Sequence, residues 1–233
     1  MAQQVALIVG VGRGLSASLA RLLAKEGFRV ALAARNPEKL EPLCKDIEAM
    51  ALKCDASVPQ EVEETFRAVE AKWGVPDLAV YNASFRTRGP LVELRAEDVR
   101  KTLEVCAFAG FLIAQAAAKR MLTRASGAAG AIFFTGASAS VKGYAQSAPF
   151  AMGKFALRGL AQSMARELSP KNIHVAHFVI DGGIRSACRP EPAEKPDSML
   201  DPDAIAQSYW QVLQQPRSAW SHEIELRPWV EKF

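Results

Sequence analysis

Short apolar runs alternate with longer amphipathic stretches along most of the chain. The apolar runs have the length of buried strands, and the longer stretches have the spacing of helices that cover one face. This alternation is typical of βα units joined into a parallel sheet. The pattern therefore predicts an α/β fold with a doubly wound parallel sheet and helices on both of its faces, and the 233 residues fit a single domain.

Strands and helices can be placed from the same pattern. The predicted strands are Val5–Val9, Arg29–Ala34, Ala51–Asp55, Leu78–Tyr81, Ala131–Thr135, His174–Ile180 and Glu223–Leu226. The predicted helices are Leu15–Lys25, one that opens at Pro37, Pro59–Trp73, Ala96–Met121, Ala148–Leu168 and Pro202–Leu213. The proline-rich segment 188–198 does not fit regular structure, and its place after the sixth strand predicts a mobile lid over a substrate pocket.

Composition narrows the classes of function. The net charge of +4 comes without a basic run, so it predicts no nucleic-acid partner and only slightly favours small anionic ligands. The apolar runs are too short to span a bilayer, which predicts no membrane association. The four cysteines, at positions 44, 54, 106 and 188, have no metal-ligand spacing. We therefore expect no metal site, reduced thiols and a cytoplasmic location.

A glycine-rich turn, Gly10-Val11-Gly12-Arg13-Gly14, follows the first predicted strand and precedes the first helix. Glycines at such a turn let the backbone approach a pyrophosphate, and the helix N-terminus supplies free N–H groups. The turn predicts a dinucleotide-binding, Rossmann-type domain, with Leu15 in the same phosphate-binding segment. The alternative is a glycine turn that binds no ligand.

The spacing from Gly10 through Gly14 to Ser16 resembles the TGxxxGxG signature of the short-chain dehydrogenase/reductase family, with Val9 and Ser16 as departures from it. Further marks follow in the family's order over nearly the whole chain. The resemblance implies cofactor contacts after the third, fourth and sixth strands, at Asp55, Asn82, Ala83, Gly182 and Ile184. Each lies at the carboxyl end of a predicted parallel strand, where ligands bind in such sheets.

The end of the second strand indicates which dinucleotide binds. An acidic residue there would select NAD through the ribose 2′-hydroxyl, but the sequence reads Ala34-Arg35-Asn36. Arg35 and Arg13 together favour a 2′-phosphate, so we expect NADP(H) as the cofactor. Family members that prefer NADP show similar basic residues at these places. The alternative is that both are ordinary surface arginines.

The family carries a YxxxK motif on the helix after the fifth strand, and this chain reads Phe150-Ala151-Met152-Gly153-Lys154. The resemblance implies that Lys154 binds the nicotinamide ribose, unless it is a surface lysine. The tyrosine that donates the proton in the family is replaced by Phe150, which has no proton to give.

Of the family's two other catalytic positions, one can be aligned in two ways and the other has a different residue. Counting back twelve residues from Phe150 gives Ser138, the candidate hydroxyl donor, and counting back thirteen gives Ala137. The family's asparagine, which holds a water for proton relay, aligns with Cys106. A thiol is a weak hydrogen-bonding substitute for an amide, and Cys106 instead suits packing as a small apolar residue. Ser138 could equally satisfy local backbone.

Other side chains near the predicted pocket could supply a proton or bind a substrate. Tyr144 is the one tyrosine near Phe150 and could supply a proton. The arginines at 86, 88 and 185 follow pocket-forming strand ends and could bind an anionic substrate, although solvated loop arginines are the simpler interpretation.

The sequence thus predicts an NADP(H)-dependent oxidoreductase that acts on a small carbonyl or alcohol with atypical catalytic residues. The alternative from another class is a catalytically inactive NADP(H)-binding sensor or scaffold. The family commonly assembles through its two long helices and last strand, so the resemblance also implies a homodimer or homotetramer. The apolar stretches 108–118 and 155–164 are compatible with that assembly.

Overall fold

The computed structural model describes residues 3–124, 130–186 and 189–231. Seven parallel strands form one sheet in the order β3-β2-β1-β4-β5-β6-β7. The strands are β1 (Val5–Val9), β2 (Arg29–Ala34), β3 (Met50–Lys53), β4 (Leu78–Tyr81), β5 (Gly130–Thr135), β6 (Ile173–Ile180) and β7 (Glu223–Leu226). The predicted Rossmann-type doubly wound sheet is confirmed.

Helices cover the two faces of this sheet. They are α1 (Leu15–Lys25), α2 (Glu41–Ile47), α3 (Pro59–Trp73), α4 (Ala96–Leu103), α5 (Ala109–Met121), α6 (Ala148–Leu168) and α7 (Pro202–Leu213). Each face has its own apolar core, because the strands of a parallel sheet are buried on both sides. The chain order changes direction between β1 and β4, and such a switch point opens a crevice at the carboxyl ends of the strands.

Most predicted boundaries agree with the structure to within one residue, and two differ for identifiable reasons. The strand predicted over Ala51–Asp55 ends at Lys53. In the described sheet this edge strand pairs with β2, and Lys53 lies opposite Ala34, the last residue of β2. Beyond Lys53 there is no further residue of β2 to pair with. The helix predicted from Pro37 begins as a 3-10 turn, and α2 starts only at Glu41.

The helix predicted over Ala96–Met121 contains a π-helical turn, Glu104–Phe108, that joins α4 to α5. Among the described residues, this stretch is the one helix whose length and composition would allow it to cross a membrane, and half of its most apolar window is buried. A π turn of this kind is rare and is found mostly near functional sites.

Candidate active site

A cleft of about 1460 Å³ opens at the carboxyl ends of the strands, at the switch point between β1 and β4. Such a volume exceeds that of an ordinary small-molecule pocket and has room for a large cofactor beside a substrate. All of the predicted cofactor residues line it, as do two of the other predicted catalytic residues; these are Gly10, Gly12, Arg13, Gly14, Leu15, Arg35, Asp55, Asn82, Ala83, Ser138, Phe150, Lys154, Gly182 and Ile184.

The turn after β1 requires glycine at its first position. Gly10 has φ +85°, and a Cβ atom there would lie 2.3 Å from the backbone nitrogen of Ala83. An L side chain is strained in this conformation, and the neighbouring strand connection leaves no room for it. Glycine at this position therefore brings the turn directly against the end of β4.

Asn82 braces the same turn. Its side-chain amide donates to the Gly10 carbonyl at 3.2 Å and to Ser16 Oγ at 2.6 Å, and the Ser16 hydroxyl lies 3.3 Å from the same carbonyl. Serine at position 16 departs from the family's glycine, but here its hydroxyl links the glycine turn to the end of β4. The departure is therefore compatible with a preformed turn.

The remaining glycines of the turn leave space for a ligand. A Cβ atom at Gly12 or Gly14 would meet nothing within 4 Å. Gly14 precedes α1, and the first turn of that helix carries no acidic residue. The free N–H groups of the turn and helix thus face open cleft, which fits a pyrophosphate.

Arg13 and Arg35 line the cleft beside this turn, and both are exposed. Within the described parts of the chain, neither forms an ion pair with a carboxylate. Asp55 lines the same cleft, where burial would raise its pKa, but two hydrogen bonds from Ser57 and the charges of Lys101 and Arg35 lower it. Asp55 therefore stays ionised near the positively charged rim.

Lys154 is not a surface residue, because only 2% of it is exposed. Its Nζ donates to the Thr135 carbonyl at 2.8 Å and lies 5.8 Å from the centre of the Phe150 ring. Burial lowers the pKa of this amine, and no carboxylate is among the causes that shift it. Lys154 also lines the cleft, and the Thr135 carbonyl takes one of the three N–H donors of its ammonium group.

Cys106 differs from the other predicted catalytic residues because it does not line the cleft. It lies in the π turn, fully buried, where it packs with Ala139 and Phe150. Its thiol donates to the Phe85 carbonyl at 3.2 Å. This contact fits the packing interpretation of Cys106, and the residue pattern carries no signature of the π turn that positions it.

Ser138 and Ala137 have different surroundings, although both line the cleft. Ala137 packs against the cluster formed by Cys106, Ala139 and Phe150. Ser138 instead neighbours Asp181, a buried residue just after β6. The residue thirteen positions before Phe150 thus packs against the cluster that contains it, and the residue twelve positions before it has a buried carboxylate as its neighbour.

Asp181 is a buried charge that the sequence analysis did not single out as a charged centre. Lys142 Nζ lies 2.9 Å from its Oδ2, and Arg227 lies 3.5 Å from the same oxygen. Burial would raise the pKa of Asp181, but the neighbouring Ser138 hydroxyl and the charges of Lys142 and Arg227 lower it. These cations belong to distant segments, so neither spacing nor periodicity could have linked them.

Tyr144, the candidate substitute proton donor, and two of the three candidate anion-binding arginines line the cleft. Tyr144 lines it and is nearly half exposed. Arg185 lines it too, but forms an ion pair with Asp201. Arg86 lies over the Phe150 ring, with Cζ 4.9 Å from the ring centre. Among the predicted loop arginines, Arg86 is thus the one that contacts a residue of the catalytic motif.

Among the described residues, no group of three or more histidine, cysteine or acidic side chains could hold a metal ion. Cys44, Cys54 and Cys106 are free thiols, whereas Cys188 lies outside the described residues.

Comparisons with known proteins show what the whole chain is similar to. The sequence model of a family described as short chain dehydrogenase matches residues 4–195. A short-chain dehydrogenase from Rhodopseudomonas palustris is 38% identical, with a TM-score of 0.83 over 97% of this chain and 99% of that chain. The 3-oxoacyl-[acyl-carrier-protein] reductase of Bos taurus is 29% identical over 174 residues, which are 74% of this chain and 72% of that protein. An alcohol dehydrogenase from the archaeon Thermococcus sibiricus, complexed with 5-hydroxy-NADP, is 23% identical and shares the fold, with a TM-score of 0.87 over 98% of both chains.

Proposed function

Because the chain belongs to the short-chain dehydrogenase family, we propose that it is an NADP(H)-dependent oxidoreductase for a small carbonyl or alcohol, with altered catalytic side chains. Members of this family act on small molecules with a nucleotide cofactor. The observation that carries the proposal is the combination of an intact dinucleotide cleft with a buried Lys154 at its catalytic end. The Thermococcus sibiricus relative, whose structure contains a modified NADP, supports the choice of NADP.

The cofactor, when bound, supplies or accepts a hydride. The N-terminus of α1 and the turn at Gly12 and Gly14 bind its pyrophosphate, and Arg13 and Arg35 bind its 2′-phosphate. Lys154 orients the nicotinamide ribose. Phe150 has no proton to give, so the proton reaches the substrate oxygen from water or from Tyr144 at the rim of the cleft.

Turnover separates this proposal from a sensor or scaffold that binds the same cofactor. We expect the protein to oxidise NADPH in the presence of a panel of reactive diketones and quinones, at rates above the protein-free background. Tight NADPH binding without turnover on any member of the panel would favour the sensor.

We further propose that segment 188–198 is a lid over the substrate end of the cleft. Within the described residues 189–198 there is no helix or extended strand, and only an isolated bridge joins Ser186 to Arg189. Its start is close to the cleft, because Arg185 and Ser186 line it.

Arg35→Ala is expected to lower the affinity for NADPH at least tenfold, about 1.4 kcal/mol, and to leave the affinity for NADH nearly unchanged. The reason is that Arg35 is a cleft residue without a carboxylate partner among the described residues, and only NADPH carries the 2′-phosphate. Titration calorimetry with both cofactors measures the difference. The matched control is Arg67→Ala on α3, away from the cleft. Equal losses for both cofactors would contradict the assignment.

We propose that the protein forms at least a dimer through the outer face of α4, α5 and α6. An apolar hollow of about 640 Å³ lies there, and Phe108, Phe111, Met152 and Phe155 are exposed on these helices. Large exposed apolar patches of this kind mark interfaces.

Phe155→Glu is expected to shift the protein toward monomer at micromolar concentration, because it places a charge in this apolar face. Light scattering measures the mass. The control, Val92→Glu, changes a more exposed apolar residue outside this face and should keep the wild-type mass. A monomer mass for the wild type at the same concentration would contradict the proposal.

A further inference from the structure

Arg86 lines the cleft beside Phe150, and two further arginines are near enough for their charges to act on it. Arg86 follows β4, and its charge is influenced by those of Arg88, on the same loop, and Arg189, on the segment after β6. Within residues 3–124, 130–186 and 189–231, none of the three forms an ion pair. A cluster of like charges without a counter-charge is unfavourable, and an anion between them would relieve the repulsion.

The second observation is that Arg86 packs against a specific residue of the cleft, Phe150. Its guanidinium lies over the Phe150 ring, the position where the family places its tyrosine. Burial of part of the side chain and the charges of Arg88 and Arg189 lower the pKa of Arg86, but the residue is exposed and remains a cation. Its hydrogen-bond donors are therefore open to a ligand in the cleft that it lines.

The third observation is at Gly183, where the backbone makes room for Arg189. A Cβ atom at Gly183 would lie 2.9 Å from Arg189 Nη2 and 3.0 Å from its Cζ. Gly183 has no left-handed conformation to explain the glycine. Its lack of a side chain thus lets the guanidinium of Arg189 lie directly on the backbone after β6, at the edge of the cleft that Gly182 and Ile184 line.

From these contacts, we infer that Arg86, supported by Arg88 and Arg189, binds an anionic group of the substrate, a carboxylate or a phosphate, next to Phe150. The inference rests on the proposed function, because it names the class of substrate for the same site. An arginine fork can hold two oxygens of either group at once, which fixes the orientation of the carbonyl relative to the nicotinamide. Phe150 has no hydroxyl with which to position the substrate. Charge recognition by Arg86 would then take over part of that positioning.

The test compares each anionic compound with a neutral one of similar shape. One pair is phenylglyoxylate and its primary amide, and the other is dihydroxyacetone phosphate and dihydroxyacetone. Each is titrated into protein saturated with NADP⁺, where the carbonyl group finds no hydride donor, and into cofactor-free protein, where neither reduction of the carbonyl nor oxidation of an alcohol can occur. We expect the anionic member of at least one pair to bind at least tenfold tighter, and the pair that shows the preference identifies the anion.

Arg86→Ala is expected to remove that preference, and Arg86→Lys to keep a part of it, because lysine retains the charge and loses the planar fork. Arg67→Ala, on α3, should leave it unchanged. A wild type without preference in either pair, or an Arg86→Ala variant that weakens the anionic and neutral members equally, would overturn the inference. NADPH oxidation with the neutral diketones and quinones tests the proposed function separately, because those compounds carry no anionic group for Arg86 to bind.

Discussion

Phe150→Tyr is expected to raise the rate of NADPH oxidation with reactive diketones or quinones at least tenfold over the wild type. A positioned general acid contributes about 10²–10⁴ in rate, and position 150 is where the family holds one. Lys154 Nζ lies 5.8 Å from the centre of the Phe150 ring, so its charge would favour the phenolate form of a tyrosine there. Steady-state kinetics with saturating NADPH measures the effect.

Two further variants keep this prediction sharp. Leu91→Tyr adds a phenol at an exposed position that does not line the cleft, and it should not raise the rate. The double variant Phe150→Tyr/Lys154→Met should lose the gain, because the cation that activates the phenol is gone. If Phe150→Tyr binds NADPH normally and shows no gain, the cleft lacks more than a phenol, and the sensor interpretation becomes the better one.

A restored tyrosine would still act in an unusual setting. Ala137 packs against the cluster that contains Phe150, Cys106 is buried within that cluster, and neither offers a hydroxyl. The substrate oxygen would therefore have fewer hydrogen-bond donors than in a site that follows the family's pattern. The addition of Cys106→Asn to Phe150→Tyr tests whether a water site can be restored as well.

The features that sequence predicted best are those that local spacing determines. The glycine turn at Gly10–Gly14 could be predicted because φ +85° at Gly10 and the contact with Ala83 allow no other residue. The place of Lys154 followed from its spacing to Phe150 on one helix. Its burial did not, because it depends on Thr135 and β5, which lie outside that helix.

Features that depend on distant segments could not be predicted. The π turn at Glu104–Phe108 has no signature in the residue pattern, yet it decides that Cys106 packs in the wall rather than facing the cleft. The stacking of Arg86 on Phe150 joins the loop after β4 to α6. Sequence analysis named both residues, but only the fold shows that they meet.

A further contact between distant segments lies beneath the site and is centred on His177 in β6. We call this region the floor of the site. This histidine is fully buried, and its Nδ1 lies 3.2 Å from Glu223 in β7, while Arg158 of α6 binds the same carboxylate through two hydrogen bonds of 2.7 Å. A Cβ atom at Gly136, next to the Lys154-bound Thr135, would lie 2.4 Å from His177 Nε2. His177 thus packs against the backbone next to the carbonyl that binds Lys154.

Folding stability is expected to fall by about 2–3 kcal/mol between pH 7 and pH 4.5 on account of His177 alone. Burial lowers the pKa of His177 to about 4, and the charges of Lys154 and Arg158 oppose the favourable effect of Glu223. An unfolded histidine titrates near 6.5, so below that pH the unfolded chain takes up a proton that the folded chain does not. The stabilisation is therefore complete above pH 6.5 and is lost as the pH falls toward 4.

Urea unfolding at pH 7.0, 5.5 and 4.5, at one protomer concentration, measures this contribution in the wild type and in His177→Gln. The variant is expected to be less stable at pH 7, because Gln fits the buried site less well, but to lose less stability on acidification. His222→Gln removes a histidine outside the Glu223–Arg158 pair and serves as the matched substitution. If His177→Gln and the wild type lose stability in parallel between pH 7.0 and 4.5, the buried neutral histidine is not what makes the floor of this site sensitive to acid.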